Sequence, residues 1–208
     1  MLRIPVLVAI AAIVVGSSVA VVLTADPVEP RLLLDESVAA DFGELADETW
    51  ESFVAAFPAQ RECIGAVTLV AVYDLDDRAK YDAGRAQMAV RVPGPRVLLE
   101  RAVVHELAHH LEFSCNAHLA IRPAFLTALG WDPETDWFEG QAWEDIPSEV
   151  FAEAVVEVVF KDFDIVHTGI GLIPVDAVEV VMNWGGHTEQ HGGQTAVPSP
   201  RSVLAVLP

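Results

Sequence analysis

His105-Glu106-Leu107-Ala108-His109 constrains this chain more than any other stretch, because it demands a helix with one flank reserved for two imidazoles. Residues four apart lie only about 40° apart around a helix axis, so both rings can converge on one point. Zinc accepts neutral imidazole nitrogens and keeps a position open for water when three protein ligands hold it. Glu106, beside the first histidine, is placed to hold that water and take its proton. The surrounding pattern predicts a helix over residues 96–113, opened after Pro95. Leu99, Val103, Leu107 and Leu111 form an apolar stripe, with Leu98, Ala102, His105 and His109 on the neighbouring one.

A second helix is predicted from Pro147 to Lys161, where Pro147 suits the first turn and Val150, Phe151, Ala154, Val155, Val158 and Val159 recur at helical spacing. Glu149, Glu153 and Glu157 fall on one stripe of this helix, where like charges repel by about 0.2 to 0.5 kcal/mol per pair. Within the helix only Lys161 answers them. A cation neutralising Glu149 and Glu153 accounts for the stripe; an exposed acidic face is the alternative.

These two motifs resemble those of the gluzincin metallopeptidases, and the run from Ser148 to Ala154 is similar to the E-x-F-A-E-A segment of small lethal-factor-like members. The resemblance covers about residues 60–165. It implies zinc as cofactor, with His105, His109 and Glu149 as ligands, Glu106 as general base, and Glu153 orienting a ligating histidine. It also implies an α+β zincin-like domain. In such a domain a small mixed sheet sets its edge strand next to the H-E-x-x-H helix, and a second helix carries the Glu ligand. The substrate would be a peptide or protein lying as an added strand against backbone groups between Ala86 and Val92. A plain edge strand protected by its arginines is the alternative. The tyrosine that such enzymes often carry shortly before the Glu ligand is absent, since Tyr73 and Tyr81 are the only tyrosines. A metzincin arrangement is excluded, because its third histidine would fall at Cys115. A non-catalytic zinc-holding binding domain and a zinc amidase acting on cell-wall peptides remain alternative functions.

Residues 4–25 are uncharged and rich in Val, Ala and Ile, preceded by Arg3 and followed by no basic residue until Arg31. About 20 apolar residues span a bilayer, so residues 1–25 read as a signal anchor or a cleaved signal peptide. Either reading exports the remainder, which is then tethered to the outer face of the cytoplasmic membrane or secreted. Twelve basic against 31 acidic residues leave a net charge of −19, a surface that repels nucleic acid. Cys63 and Cys115 are the only cysteines, and an even pair in an exported chain reads as a disulfide.

Between these landmarks the expected order is a linker over residues 26–31, a domain over 32–184 and a flexible tail over 185–208. Leu32 to Phe57 reads as a helix stopped by Pro58, Val67 to Tyr73 as a central strand, Asp74 to Asp82 as a polar connection, and Arg85 to Val92 as an edge strand. Asn116 to Ile146 reads as a long irregular loop carrying Trp131, Trp137 and Trp143. His118 and His167 are candidate oxyanion or substrate contacts, and Val175 to Trp184 reads as a closing helix.

Overall fold

The computed structural model describes residues 29–160 and 171–186. The hydrophobic N-terminal segment, His167 and the tail from residue 187 lie outside the described residues. Among the described residues the architecture is α+β, a four-stranded mixed sheet with six α-helices. Among the described residues no helix is long and apolar enough to cross a membrane.

The chain enters the sheet at β1, Arg31–Leu34, and then forms helix α1, Ala40–Ala56. This corrects the expected helix from Leu32 and the linker ending at Arg31. Leu32-Leu33-Leu34 carries no helical period, and its backbone is taken up by parallel pairing with β2, Ala66–Val72, from Arg31↔Ala66 to Leu34↔Leu69. Asp35 then turns the chain by accepting the Ser37 amide at 2.9 Å. Pro58 does end this stretch, opening a 3₁₀ turn at Pro58–Gln60 that leads into the short α2, Arg61–Ile64.

β2 alternates buried and half-buried residues, with Val67 and Leu69 fully enclosed. Its second neighbour is β4, Gln87–Arg91, again in parallel register, and β4 in turn pairs antiparallel with β3, Ala79–Asp82. The strand order β1-β2-β4-β3 therefore puts β4 inside the sheet and β3 at its border. Two expectations change. The edge strand beyond β4 is β3, from the stretch read as a polar connection, and the β4 backbone is already paired on both sides. A four-residue Ala-Lys-Tyr-Asp strand is too short and too polar to show a sheet pattern by itself. It forms because Ala86, at φ 47°, closes a hairpin that lays it on β4, with Asp82 accepting the Gly84 amide at 2.9 Å.

Helix α3, Arg96–Ser114, crosses the inner face of the sheet and packs against α1 and against α5, Pro147–Val159. Its predicted stripe of Leu99, Val103, Leu107 and Leu111 is buried. The expected loop after Asn116 contains α4, His118–Ala128, which Pro123 disguised by interrupting the helical pattern just past its first turn. From residue 129 the chain is irregular until a 3₁₀ turn at Trp143–Asp145 hands over to α5. The last described helix, α6, Val175–Gly185, agrees with the predicted closing helix and ends at Gly186, whose left-handed φ of 95° caps it. Cys63 and Cys115 form a disulfide that ties α2 to the residue following α3. Closing a loop across a separation of 52 residues adds about 4 kcal/mol by chain entropy.

Candidate metal centre

α3 and α5 pack so that the two predicted motifs face one another. His105 Nε2 lies 3.0 Å from Glu149 Oε2 and 3.2 Å from His109 Nε2, and His109 Nε2 lies 3.5 Å from the same Glu149 oxygen. One donor atom from each of the three residues falls within 4.8 Å of the others. Tetrahedral ligands at about 2.0 to 2.1 Å from zinc stand about 3.3 Å apart, so the three donors are spaced for a single ion of that size. Two imidazoles and one carboxylate are also the ligand set that leaves a fourth position open.

The far side of each imidazole is held as metal ligation requires. His105 Nδ1 donates to Glu153 Oε1 at 2.9 Å, and Glu153 is in turn paired with Arg101 of α3. His109 Nδ1 donates to Glu112 Oε2 at 2.9 Å. With Nδ1 as donor, a neutral ring would offer its Nε2 lone pair to an ion on the Glu149 side; without one, an Nε2 proton meets the Glu149 carboxylate. Glu112 is the member of this hydrogen-bonded cluster that the sequence did not single out. Its signal was an acidic side chain three residues after His109 on the same helix, with no cation nearby in sequence to explain it. It is 5% exposed, and it also accepts Trp137 Nε1 at 2.7 Å and Ser148 Oγ at 2.8 Å. Glu112→Gln and Glu153→Gln are each expected to weaken zinc affinity about 10 to 100-fold. Competition titration against a fluorescent chelator checks this, and unchanged affinity in either variant removes that residue from the ligand support.

Burial opposes charge on His109, but hydrogen bonds to Glu112 and Glu149 outweigh it and raise its pKa to about 10. Burial holds His105 below the ordinary range. Burial also works against charge on Glu149, yet its bonds to both histidines keep its carboxyl ionised well below the usual carboxylate range. Glu106 is 5% exposed, and burial first of all raises its pKa to about 7.

The site opens into a cavity of about 690 Å³, which Glu106 and the three candidate ligands line together with the border strand β3. Trp143 stacks on His105 with ring centroids 6.0 Å apart, forming one wall. Trp137 is buried in the core, and Trp131 is packed partly buried against it. Phe113 and Phe138 stack 5.5 Å apart at the other wall. Tyr81 also lines the cavity, but its hydroxyl is engaged. His110 Nε2 donates to the Ile64 carbonyl at 2.7 Å, so its Nδ1 is an acceptor and the Tyr81 hydroxyl donates to it at 2.8 Å.

His118 is not among the cavity-lining residues. It is fully buried in a cage of aromatic rings, 4.5 Å from Phe151 and 5.0 Å from Trp137 by centroid, with Nε2 unpartnered. This removes it as an oxyanion contact. Burial, with Arg122 adding like charge, lowers its pKa to about 3. A histidine depressed on folding contributes stability that is complete above its unfolded pKa of about 6.5 and is lost as pH falls toward the folded value. Between about pH 7 and 4.5 this one group removes about 2 to 3 kcal/mol. His118→Phe is expected to flatten that acid dependence in urea unfolding at the two pH values; an unaltered slope would mean that the caged ring does not resist protonation.

The three donors, Glu153 and the buried Glu106 thus line one cleft between α3, α5 and β3, with Glu112 enclosed behind His109. No protein-family model matches the chain, and no curated protein or solved structure matches it.

Proposed function

We propose that this protein is an exported zinc metallopeptidase of the gluzincin kind, with a zincin-like domain that hydrolyses peptide bonds. The observation that carries the reading is the convergence of His105, His109 and Glu149 within 4.8 Å beside the buried Glu106. His105, His109 and Glu149 would hold a zinc ion, which would supply electrophilic assistance to a carbonyl and lower the pKa of a water there to about 7. Glu106 takes the proton of the attacking water and returns it to the leaving amine. Glu153 and Glu112 hold the two imidazoles in register throughout. The outer edge of β3, unpaired among the described residues, offers backbone groups to an extended peptide. The Cys63–Cys115 disulfide suits the export suggested by residues 1–25.

The reading is tested on the full chain by elemental analysis and by mass-spectrometric detection of cleavage in a mixed peptide library, with zinc, with chelator and after zinc is restored. Stoichiometric zinc and cleavage that follows the metal support it. Cleavage indifferent to chelator, or none by zinc-loaded protein, sinks it. The engaged hydroxyl of Tyr81 favours a second reading, a non-catalytic zinc-holding binding domain, and the same assay separates the two.

A further inference from the structure

Arg78 is the cleft group that the chemistry above leaves without a task. It stands in the connection leading into β3 and lines the cavity that holds the candidate ligands. The cavity has two arginines, and Arg101 is taken by Glu153. Arg78 has no such partner among the described residues, and its Nε and Nη2 atoms are buried without a hydrogen bond. Arg78 is half-buried as a residue, but guanidinium N–H groups shut off from water and left unpaired are costly, and in a chain of 31 acidic and 12 basic residues a carboxylate partner would be easy to provide. Nearby Arg91 adds like charge instead.

The seat of this arginine is built. The Arg78 carbonyl accepts the Arg91 amide at 2.9 Å, and Arg91 Nη1 donates to the Leu75 carbonyl at 2.9 Å, which pins the connection. The guanidinium lies directly over Gly94, where any side chain would collide with it. Gly94 precedes the start of α3, so Arg78 stands at that end of the cleft. Tyr81, Phe113 and Phe138 stand at the other end, beyond His109. Arg78 thus stands at one end of the cleft, with Asp77 also lining the cavity, and the aromatic rings of Tyr81, Phe113 and Phe138 at the other, with the candidate metal site between them.

We infer that Arg78 forms a carboxylate-binding subsite, which takes an acidic side chain or the C-terminal carboxylate of a peptide lying along β3. The inference rests on the peptidase reading, and it is tested by binding rather than turnover. The probes are fluorescein-labelled octapeptides of Ala and Phe carrying one Glu or one Gln at successive positions, each as free acid and as C-terminal amide. Fluorescence anisotropy is recorded with zinc-supplemented full-length Glu106→Gln. A charge-assisted pair should favour the carboxylate peptide about 10 to 100-fold. Preference for Glu over Gln at one position identifies a side chain; preference for acid over amide identifies the C-terminus. In an Arg78→Gln background the preference should vanish, in Arg78→Lys it should survive in part, and in Gly94→Ala, which displaces the guanidinium without removing it, it should weaken.

Equal affinity for all peptides, binding of none, or a preference undiminished in Arg78→Gln overturns the inference. If Arg78→Gln does not fold, Arg78→Lys and Gly94→Ala decide on their own, and an undiminished preference in Gly94→Ala then overturns it. Wild-type protein that selects carboxylate peptides but cleaves none retains the subsite and loses the peptidase reading. Cleavage without carboxylate preference does the reverse.

Discussion

Glu106→Gln is expected to keep its zinc and lose hydrolysis about 10² to 10⁴-fold, the range that a positioned general base contributes. The substitution preserves shape and exchanges a proton acceptor for an amide. Glu106 is 5% exposed, lines the cavity beside the candidate ligands, and supplies no donor to their cluster. Burial chiefly, together with the Glu149 charge, lifts its pKa to about 7, while His109 pulls the other way. A dication on the neighbouring donors would draw it lower and favour the carboxylate needed to accept a proton. Stopped peptide-cleavage assays on equal zinc-loaded protein measure the loss. Undiminished activity ends the proposed mechanism. Loss of zinc together with activity would make Glu106 part of the metal seat rather than the base.

Glu149→Ala is expected to lose the metal itself. Glu149 Oε2 lies 3.0 Å from His105 Nε2 and 3.5 Å from His109 Nε2, so removing it takes away the candidate third ligand and the carboxylate that touches both rings. The effect should exceed the about 10 to 100-fold that loss of a supporting hydrogen bond costs. Glu149 lies in the first turn of α5, whose buried side rests on Val150, Phe151, Ala154 and Val155, so the helix should persist. Elemental analysis after dialysis, beside far-ultraviolet circular dichroism, separates a lost ligand from a lost fold. Zinc retained at wild-type stoichiometry would place the third ligand elsewhere.

The spacing of His105, Glu106 and His109 and the apolar stripe behind them determined α3 and its cleft-facing flank before any tertiary information. A local period is enough to say which residues share a helix face. Pro147 and the valines after it likewise determined α5, and the even cysteine pair anticipated the Cys63–Cys115 bridge. The acidic stripe of Glu149, Glu153 and Glu157 announced that something positive must face it, without saying what. In the folded chain that face meets His105, His109 and Arg101, all on α3.

What only the tertiary structure decided depends on partners remote in sequence. Leu32-Leu33-Leu34 became a strand because β2 offers it a parallel edge, and Ala79–Asp82 because a hairpin lays it on β4; neither segment carries a period strong enough to choose for itself. That hairpin moved the border of the sheet from β4 to β3, and with it Arg78 and Tyr81 to the cleft. Glu112 acquired its place only when α5 and the loop bearing Trp137 closed over it. His118 became an aromatic-caged core residue because α4 turned it inward. Local spacing thus determined which side chains can act together on one helix, whereas the pairing of distant strands and helices decided which of them meet across the cleft.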